Sequence, residues 1–425
     1  MASIVLFGSF ALMVLLNTPI PFALGLSSVV TLLWRGGVTL MLVAQRMIPA
    51  IDSFALLSIP LFILAGDIMN TGGCGKRLVK FANALVGHIR GGLAHANILA
   101  SLFFGGISGS ASADTAALGA ILIPAMTEEG YDKAFSTVVT ITSSPLGTII
   151  PPSIVMVLYG WMTGAPVPKL FAAGFIPGTI IGIGLMVLSY VISKKHGYGK
   201  TYPFRWSELW KTFIDSLPAL LMPLIILGGI FGGVFTATEA AAVAVMYGLI
   251  AGFFIYKELK LKDIPGVLIR SCLTTGGVML LIALSATFGW VMSFERIPLL
   301  LTEFFIKYVP TGFAFLMVVI LISLIIGCFL TPTSAQIIMV PILYPVALRF
   351  GIDPIHFGLV LICALAIGHV TPPVGLCLYI GSSISQIPVA GLVRPLVPFI
   401  LVMIITTILI ALIPELVLFI PRVAF

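Results

Sequence analysis

Glycine and proline positions in the middle of this chain recur 221 residues later without a gap. Composition alone would give about one such match in a window of this size, so the pattern predicts a duplicated unit. The matched positions, which include one aspartate pair, are Gly106 and Gly327, Pro124 and Pro345, Gly130 and Gly351, Asp132 and Asp353, Gly147 and Gly368, Pro151-Pro152 and Pro372-Pro373, Gly160 and Gly381, and Pro177 and Pro398. The duplication restricts the fold to two related halves.

The composition predicts an all-α polytopic membrane protein. Hydrophobic residues make up 60% of the 425 residues and charged residues 9%. Apolar runs of about 18 residues or more, long enough to span a bilayer, recur along the chain. The start, Met1 to Asn17, lacks a basic segment and is interpreted as a membrane segment, not a signal peptide. The net charge of +7 indicates cytoplasmic loops, not nucleic-acid binding, and the five cysteines, without CxxC spacing, indicate inert thiols.

Two apolar segments in each half are interrupted by residues that weaken a helix. In the first half the interruptions are Ser108 to Asp114 and Ser143 to Pro152. In the second they are Thr331 to Ser334 and Gly368 to Pro373. Backbone groups freed by glycine and proline are tolerated at membrane depth only where protein, ions or water satisfy them. Paired interruptions in two halves therefore point to a secondary-transporter site.

The same order of elements is predicted in both halves: scaffold helices, an amphipathic arm helix, a re-entrant hairpin and a split helix. The first repeat is residues 1–193, with its arm helix at 74–88, its hairpin at 92–126 and its split helix at 132–162. Residues 194–212 form a basic cytoplasmic linker. The second repeat is residues 213–425, with its arm helix at 295–308, its hairpin at 312–348 and its split helix at 353–384. Five crossings per repeat would make the repeats inverted and place both termini in the periplasm.

Helix ends at these interruptions suit both an ion and an anion. Carbonyl ends and hydroxyls suit Na⁺, and free N–H ends suit a carboxylate. Each hairpin tip is expected beside the split helix of its own repeat, with substrate between the tips. Two or more sodium ions are expected, with ligands from Ser108, Ser110, Ser112, Ser143, Ser144, Gly147, Thr148, Thr331, Thr333, Ser334, Gly368, His369 and Thr371. The expected substrate ligands are Ser110, Ser112, Asp114, Pro152, Thr333, Ser334 and Pro373.

Several of these residues have a plainer interpretation. Small residues and serines also serve close packing between membrane helices. Asp114 is compatible with capping a helix, contacting an ion or transferring a proton. Asp52, Asp67 and Glu239 are assigned to scaffold interfaces or water, without a transport role.

The motifs GGISGSASAD, SSPLGTIIPPS, TPTSAQ and GHVTPPVG together resemble the large membrane subunit of the tripartite ATP-independent periplasmic (TRAP) transporters. The resemblance implies a subunit of the bacterial inner membrane that holds the sodium and substrate sites and moves as an elevator. It also implies two partners, a small four-helix membrane subunit and a periplasmic substrate-binding protein that delivers an organic acid. The general appearance favours sialic acid, with C4-dicarboxylates next.

Two other classes are compared with this prediction. A receptor-independent divalent anion/sodium symporter would share the hairpins and split helices, but the TPTS tip favours the TRAP type. A membrane enzyme is not supported, because the chain has no HExxH, GxGD or Ser–His arrangement. The chain is therefore predicted to be a transporter and not an enzyme.

Overall fold

The computed structural model describes residues 1–199 and 203–425, and these ranges form helices without strands. The all-α class predicted from composition is confirmed. The helices of the first half are α1 (Ala2–Leu15), α2 (Ile20–Arg35), α3 (Met41–Ile51), α4 (Ser58–Thr71), α5 (Cys74–Val86), α6 (Gly92–Ser108), α7 (Ala111–Glu128), α8 (Lys133–Ser143), α9 (Leu146–Ile149), α10 (Ile154–Thr163) and α11 (Val167–His196). Those of the second half are α12 (Trp206–Phe231), α13 (Ala237–Ile250), α14 (Ile264–Phe294), α15 (Ile297–Tyr308), α16 (Gly312–Gly327), α17 (Pro332–Arg349), α18 (Pro354–Gly368), α19 (Leu376–Ser385), α20 (Val389–Leu412) and α21 (Glu415–Ala424).

Helices α7 and α17 begin and end 221 residues apart, the offset of the sequence repeat. Helices α8 and α18 also begin 221 residues apart, and an aspartate precedes each of them. The Asp132 carboxylate accepts the Phe135 backbone N–H at 2.8 Å, and the Asp353 carboxylate accepts that of Ile355 at 2.8 Å. A side-chain oxygen that satisfies a free N–H of the first turn stabilises a helix start. The matched aspartates therefore start the two split helices by the same chemistry.

The split helices lie at the centre of the molecule. Every residue from Phe135 to Ser153 is buried, and so is every residue from Ile355 to Gly368. In the most apolar stretch of each of the other long candidate membrane spans, fewer than half of the residues are buried. The interruption of the first split helix, Ser143 to Pro152, is consequently enclosed by protein, where neighbouring groups can satisfy its freed backbone atoms, whereas the interruption of the second reaches the exposed Pro373.

Seven helical segments in the described ranges are long and apolar enough to cross a membrane. They are Phe54–Thr71, Lys133–Thr163, Val167–His196, Trp206–Phe231, Ala237–Ile255, Leu261–Phe294 and Val389–Leu412. The ten crossings expected from sequence would also need α1, α2 and the split pair α18–α19, whose helices are shorter. The inverted orientation and the location of the termini stay predictions.

Two boundaries differ from those read from the sequence. Helix α11 continues to His196 and α12 begins at Trp206, so both ends of the predicted linker 194–212 are helical. Basic residues favour the C-terminal end of a helix, which explains why Lys194 and Lys195 extend α11. Residues 200–202, including the linker's Lys200, lie outside the described residues. Near the C-terminal end, Pro414 separates α20 from α21.

Helices lie at both positions predicted for the arms, and each follows a residue in the left-handed backbone region. Gly73, with a φ of 83°, precedes α5, and Arg296, with a φ of 55°, precedes α15. Glu295 forms an ion pair with Arg35 of α2 beside the second of these turns. We call these two turns the arm hinges.

The first arm hinge is held by a charged cluster around Arg77. Its guanidinium pairs with Glu258 at 2.7 Å and with Asp215 at 3.2 Å, and it lies 4.0 Å from the centre of the Tyr256 ring. Burial lowers the pKa of Arg77, but the hydrogen bond and charge of Glu258, with those of Asp215, outweigh it and raise the pKa overall. The arm is thus fixed to scaffold residues through a permanently charged side chain.

Candidate functional site

The tip of the first hairpin is a short turn between α6 and α7. Gly109 has a φ of 61° there, and a Cβ at this position would lie 3.0 Å from the Pro152 carbonyl oxygen. The Ser110 and Ser112 hydroxyls are 3.2 Å apart, and the Ser108 hydroxyl donates to Asp114. Three hydroxyls and the free N-terminal end of α7 are therefore collected at one point.

The tip of the second hairpin has the same chemistry. Thr331 is the residue before α17, and its hydroxyl accepts the backbone N–H of Ser334 at 3.3 Å. The two hydroxyls of this pair are 3.0 Å apart. Pro332 occupies the first helical position, where its missing N–H costs nothing.

The first helix of each hairpin, α6 or α16, crosses the split helix of its own half through a pair of glycines. A Cβ on Gly105 would lie 2.7 Å from the Cα of Gly147. In the second half a Cβ on Gly327 would lie 2.9 Å from the Cα of Gly368. Only glycine permits backbones to approach so closely. The structure therefore places the first helix of each hairpin beside the split helix of its own half.

The second helix of each hairpin, α7 or α17, packs against the split helix of the other half, an arrangement that the sequence did not reveal. Helix α7 packs against α19, and α17 packs against α10. The buried side chain of Gln336 in α17 donates its amide N–H to the Val155 carbonyl in α10 at 3.1 Å. The two hairpins and the two split helices consequently form one interlocked unit, which we call the core unit.

Both tips border a single cavity of about 600 Å³. Of the predicted ligands, the cavity is lined by Ser108, Ser110, Ser112, Thr148, Thr331, Thr333, Ser334 and His369. The interruptions of two distant parts of the chain thus converge on one partly open cavity.

The remaining predicted ligands do not line this cavity. Gly147 and Gly368 lie at the glycine crossings, Pro152 is buried under the first tip, and Pro373 is exposed. The hydroxyls of Ser143, Ser144 and Thr371 make hydrogen bonds within the protein: Ser101 donates to Ser143 at 2.9 Å, Ser144 donates to the Thr140 carbonyl at 2.7 Å and Thr371 donates to the Ile367 carbonyl at 2.7 Å. The last two are local bonds to the carbonyl one turn earlier, the usual structural use of hydroxyls in helices, and the first joins α6 to α8.

Asp114 lies behind the first tip and is fully buried. Its Oδ1 accepts the Ser108 hydroxyl, while its Oδ2 has no hydrogen-bond partner among the described residues. That Oδ2 occupies the space that a Cβ of Gly147 would fill. An orphaned buried carboxylate oxygen beside hydroxyls is a donor set that fits a hard cation such as Na⁺.

A further wall of the cavity comes from α4 and α14, and sequence reasoning missed it. Its lining residues are Ile63, Gly66, Asp67 and Asn70 of α4, and Leu273, Thr274, Gly277, Val278 and Leu281 of α14. The α4 residues are spaced i, i+3, i+4 and i+7, which places them on one helix face. Asp67, to which the sequence analysis gave no transport role, therefore faces the same cavity as the tips.

A helical membrane protein with paired helix interruptions around one cavity has the architecture of a secondary transporter. The chain belongs to the family described as "Tripartite ATP-independent periplasmic transporter, DctM component", whose model matches residues 7–416. The resemblance read from the motifs is therefore confirmed.

Relatives match along almost the whole chain. The uncharacterized protein YgiK of Salmonella typhimurium is 42% identical over 98% of this chain and 97% of its own length. The sialic acid TRAP transporter large permease protein SiaM of Vibrio cholerae is 38% identical over 95% of each chain. The C4-dicarboxylate TRAP transporter large permease protein DctM of Pseudomonas aeruginosa is 38% identical over 94% of each chain.

A solved structure is similar in fold. The YdaH transporter of Alcanivorax borkumensis superposes with a TM-score of 0.63 at 14% sequence identity, covering 88% of each chain. At that identity the likeness concerns the fold alone. Family, helices and fold together make this protein a multi-pass inner-membrane transporter and not an enzyme.

Proposed function

We propose that this chain performs sodium-coupled secondary uptake of an organic acid across the inner membrane by an elevator movement. The observation that supports this most directly is the convergence of both hydroxyl-rich tips on one cavity of about 600 Å³. Relatives named for sialic acid and C4-dicarboxylate transport support an organic acid as substrate. Sialic acid is favoured and C4-dicarboxylates come next.

Sodium would be held by oxygen atoms of the core unit. In the first half Ser108, Ser110 and Thr148 line the cavity, and the orphaned Asp114 oxygen lies behind them. In the second half Thr331, Thr333 and Ser334 supply hydroxyls, and two or more ions are proposed in all. Bound cations would reduce the cost of placing a carboxylate within the membrane.

The substrate carboxylate would lie between the tips. Helices α7 and α17 begin at the two tips, and the free N–H groups at the start of a helix attract anions. Ser110, Ser112, Thr333 and Ser334 can donate hydroxyl hydrogen bonds to the same group. An anion at this point would contact both halves of the chain at once.

The core unit would move against the scaffold on its two arms. The left-handed turns at Gly73 and Arg296 are the places where chain direction changes between scaffold and arm. A small four-helix membrane subunit would enlarge the scaffold, and a periplasmic binding protein would deliver the acid. Both termini would lie in the periplasm.

Reconstituted uptake tests this proposal. Proteoliposomes containing the chain, its small membrane subunit and the binding protein are given labelled N-acetylneuraminate or succinate with an inward sodium gradient. Uptake of one acid should require the gradient and should stop when potassium replaces sodium at equal ionic strength. Sodium-independent uptake would overturn sodium coupling. Uptake that persists without the binding protein would instead support a receptor-independent divalent anion/sodium symporter.

A further inference from the structure

The scaffold wall of the cavity places a carboxylate close to the first tip. Helix α4 packs directly on that tip, because a Cβ on Gly66 would lie 3.4 Å from the Cα of Ser108. The next residue, Asp67, lines the cavity. Its Oδ2 accepts the Ser271 hydroxyl of α14 at 2.6 Å. Ser271 thus fixes the orientation of the carboxylate.

The second oxygen of this carboxylate remains available. Asp67 Oδ1 has no hydrogen-bond partner among the described residues, and Asp67 as a whole is only partly buried. Asn70 and Thr274 lie on the same wall, one helical turn from Asp67 and Ser271 respectively. The wall therefore presents a charged acceptor flanked by neutral polar groups.

No positive side chain balances this charge within the cavity. Among the cavity-lining residues in the described part of the chain, none is lysine or arginine, and Asp67 is the one carboxylate. A second negative charge brought to this wall would meet like-charge repulsion, which a partly desolvated site strengthens. A hydroxyl or amide N–H brought there would instead donate a charge-assisted hydrogen bond.

We propose that Asp67 is a specificity-determining residue that selects monocarboxylic acids with hydroxyl or amide donors at the end away from the carboxylate, and that it disfavours dicarboxylates. This inference rests on the proposed function, in which the tips hold one carboxylate of the substrate. The part of the substrate beyond this carboxylate then lies against the wall formed by α4 and α14, where Asp67 accepts its donors. A dicarboxylate in the same position points its second carboxylate at Asp67.

Direct binding to the membrane protein tests the inference without the selectivity of the binding protein. The full chain, purified with its small membrane subunit in detergent and sodium chloride, is titrated calorimetrically with N-acetylneuraminate, gluconate and succinate. The two donor-bearing monoacids should bind about tenfold or more tightly than succinate, the size expected for one charge-assisted hydrogen bond.

The Asp67→Asn variant should reduce this preference. The asparagine amide lacks the negative charge and can donate a hydrogen bond to a second carboxylate. The ratio of monoacid to succinate affinity should therefore fall about tenfold. Asp52→Asn is the matched control, because it removes an exposed carboxylate that does not line the cavity. Ser271→Ala retains the Asp67 charge and should retain most of the preference.

The outcomes separate the two proposals. If the unaltered protein binds none of the acids, the proposed function fails. If it binds acids but prefers succinate, or if Asp67→Asn leaves the affinity ratio unchanged, the role of Asp67 is refuted and the proposed function stands. If Asp67→Asn does not fold, Asp67→Ser is measured in its place, and an unchanged affinity ratio in that variant refutes the inference.

Discussion

The amide nitrogen of Gln336 donates a hydrogen bond to the backbone carbonyl of Val155 at 3.1 Å, and this bond joins the second hairpin to the first split helix. The side chain is completely buried, and Val155 itself lines the cavity. The bond therefore connects the two halves beside the space where their tips meet.

Replacing Gln336 with leucine should weaken this connection. The substitution removes the donor and leaves a buried carbonyl with one partner fewer, at a cost of about 1–3 kcal/mol in the free energy of unfolding. Sodium-dependent uptake should fall several-fold, as measured in proteoliposomes alongside thermal unfolding. Gln45→Leu, at an exposed position of α3, is the matched control. Equal uptake by the Gln336 variant and the parent protein would count against coupling through this bond.

The glycine crossings should not tolerate a methyl group. In Gly105→Ala or Gly327→Ala, the new Cβ would lie within 3 Å of backbone atoms, 2.7 Å from Gly147 Cα and 2.9 Å from Gly368 Cα. Backbone cannot move aside as a flexible side chain can, so overpacking should cost about 1–3 kcal/mol and lower the unfolding temperature in detergent. Gly289→Ala is the control, since nothing lies within 4 Å of its Cβ position. A crossing variant as stable as this control would contradict the close approach.

The tip hydroxyls should determine the sodium requirement. Ser110→Ala and Ser334→Ala each remove one oxygen that lines the cavity, and the sodium concentration for half-maximal uptake should rise about three- to tenfold. Ser9→Ala provides a comparison, because Ser9 lies on α1 and donates only to the Leu6 carbonyl. An unchanged sodium dependence in both tip variants would remove these serines from the ion site.

The ion pairs of Arg77 should keep α5 packed at the first arm hinge, so that the thiol of Cys74 stays buried. Burial raises the pKa of Cys74 to about 12, with Arg77 lowering it and Glu258 raising it, so its thiol should resist maleimide at neutral pH. Arg77→Gln should loosen α5 and increase Cys74 labelling several-fold in a background where exposed Cys272 is serine.

The pKa effect of that substitution runs against the expected result. Loss of the Arg77 charge would raise the Cys74 pKa further, so faster labelling would report exposure of the thiol and not its activation. Arg422→Gln breaks an exposed ion pair with Glu415 and should leave labelling unchanged. If Arg77→Gln labels no faster than this control, the cluster does not close the hinge.

Local signals predicted the positions of the tips well. Glycine, proline and serine at fixed spacing are intrinsic helix breakers, and the 221-residue offset marked both copies, as the identical offset of α7 and α17 shows. The cavity then brought together Ser110 and Ser334, which the sequence had assigned to one site.

Tertiary packing decided what the sequence did not reveal. Asp67 lies on α4, whereas Asp52 follows the end of α3 and is exposed. That Asp67 faces the cavity depends on how α4 packs against the first tip. The packing of α7 on α19 and of α17 on α10 joins residues more than 150 positions apart, for which no periodicity gives a signal. Likewise, Ser143 and Ser144 resemble Ser110 in the sequence, but both are buried at the end of α8 and donate to the Thr140 carbonyl.

The contacts of Gly105 with Gly147 and of Gly327 with Gly368 leave no side chain between arm and split helix. Because these backbones are in direct contact, no flexible side chain separates them, and each hairpin tip would move together with the neighbouring turn of its split helix. Under the proposed elevator movement, the oxygen atoms proposed to hold sodium would keep the same arrangement on either side of the bilayer. A difference in substrate affinity between the two sides would then come from the scaffold wall that α4 and α14 form.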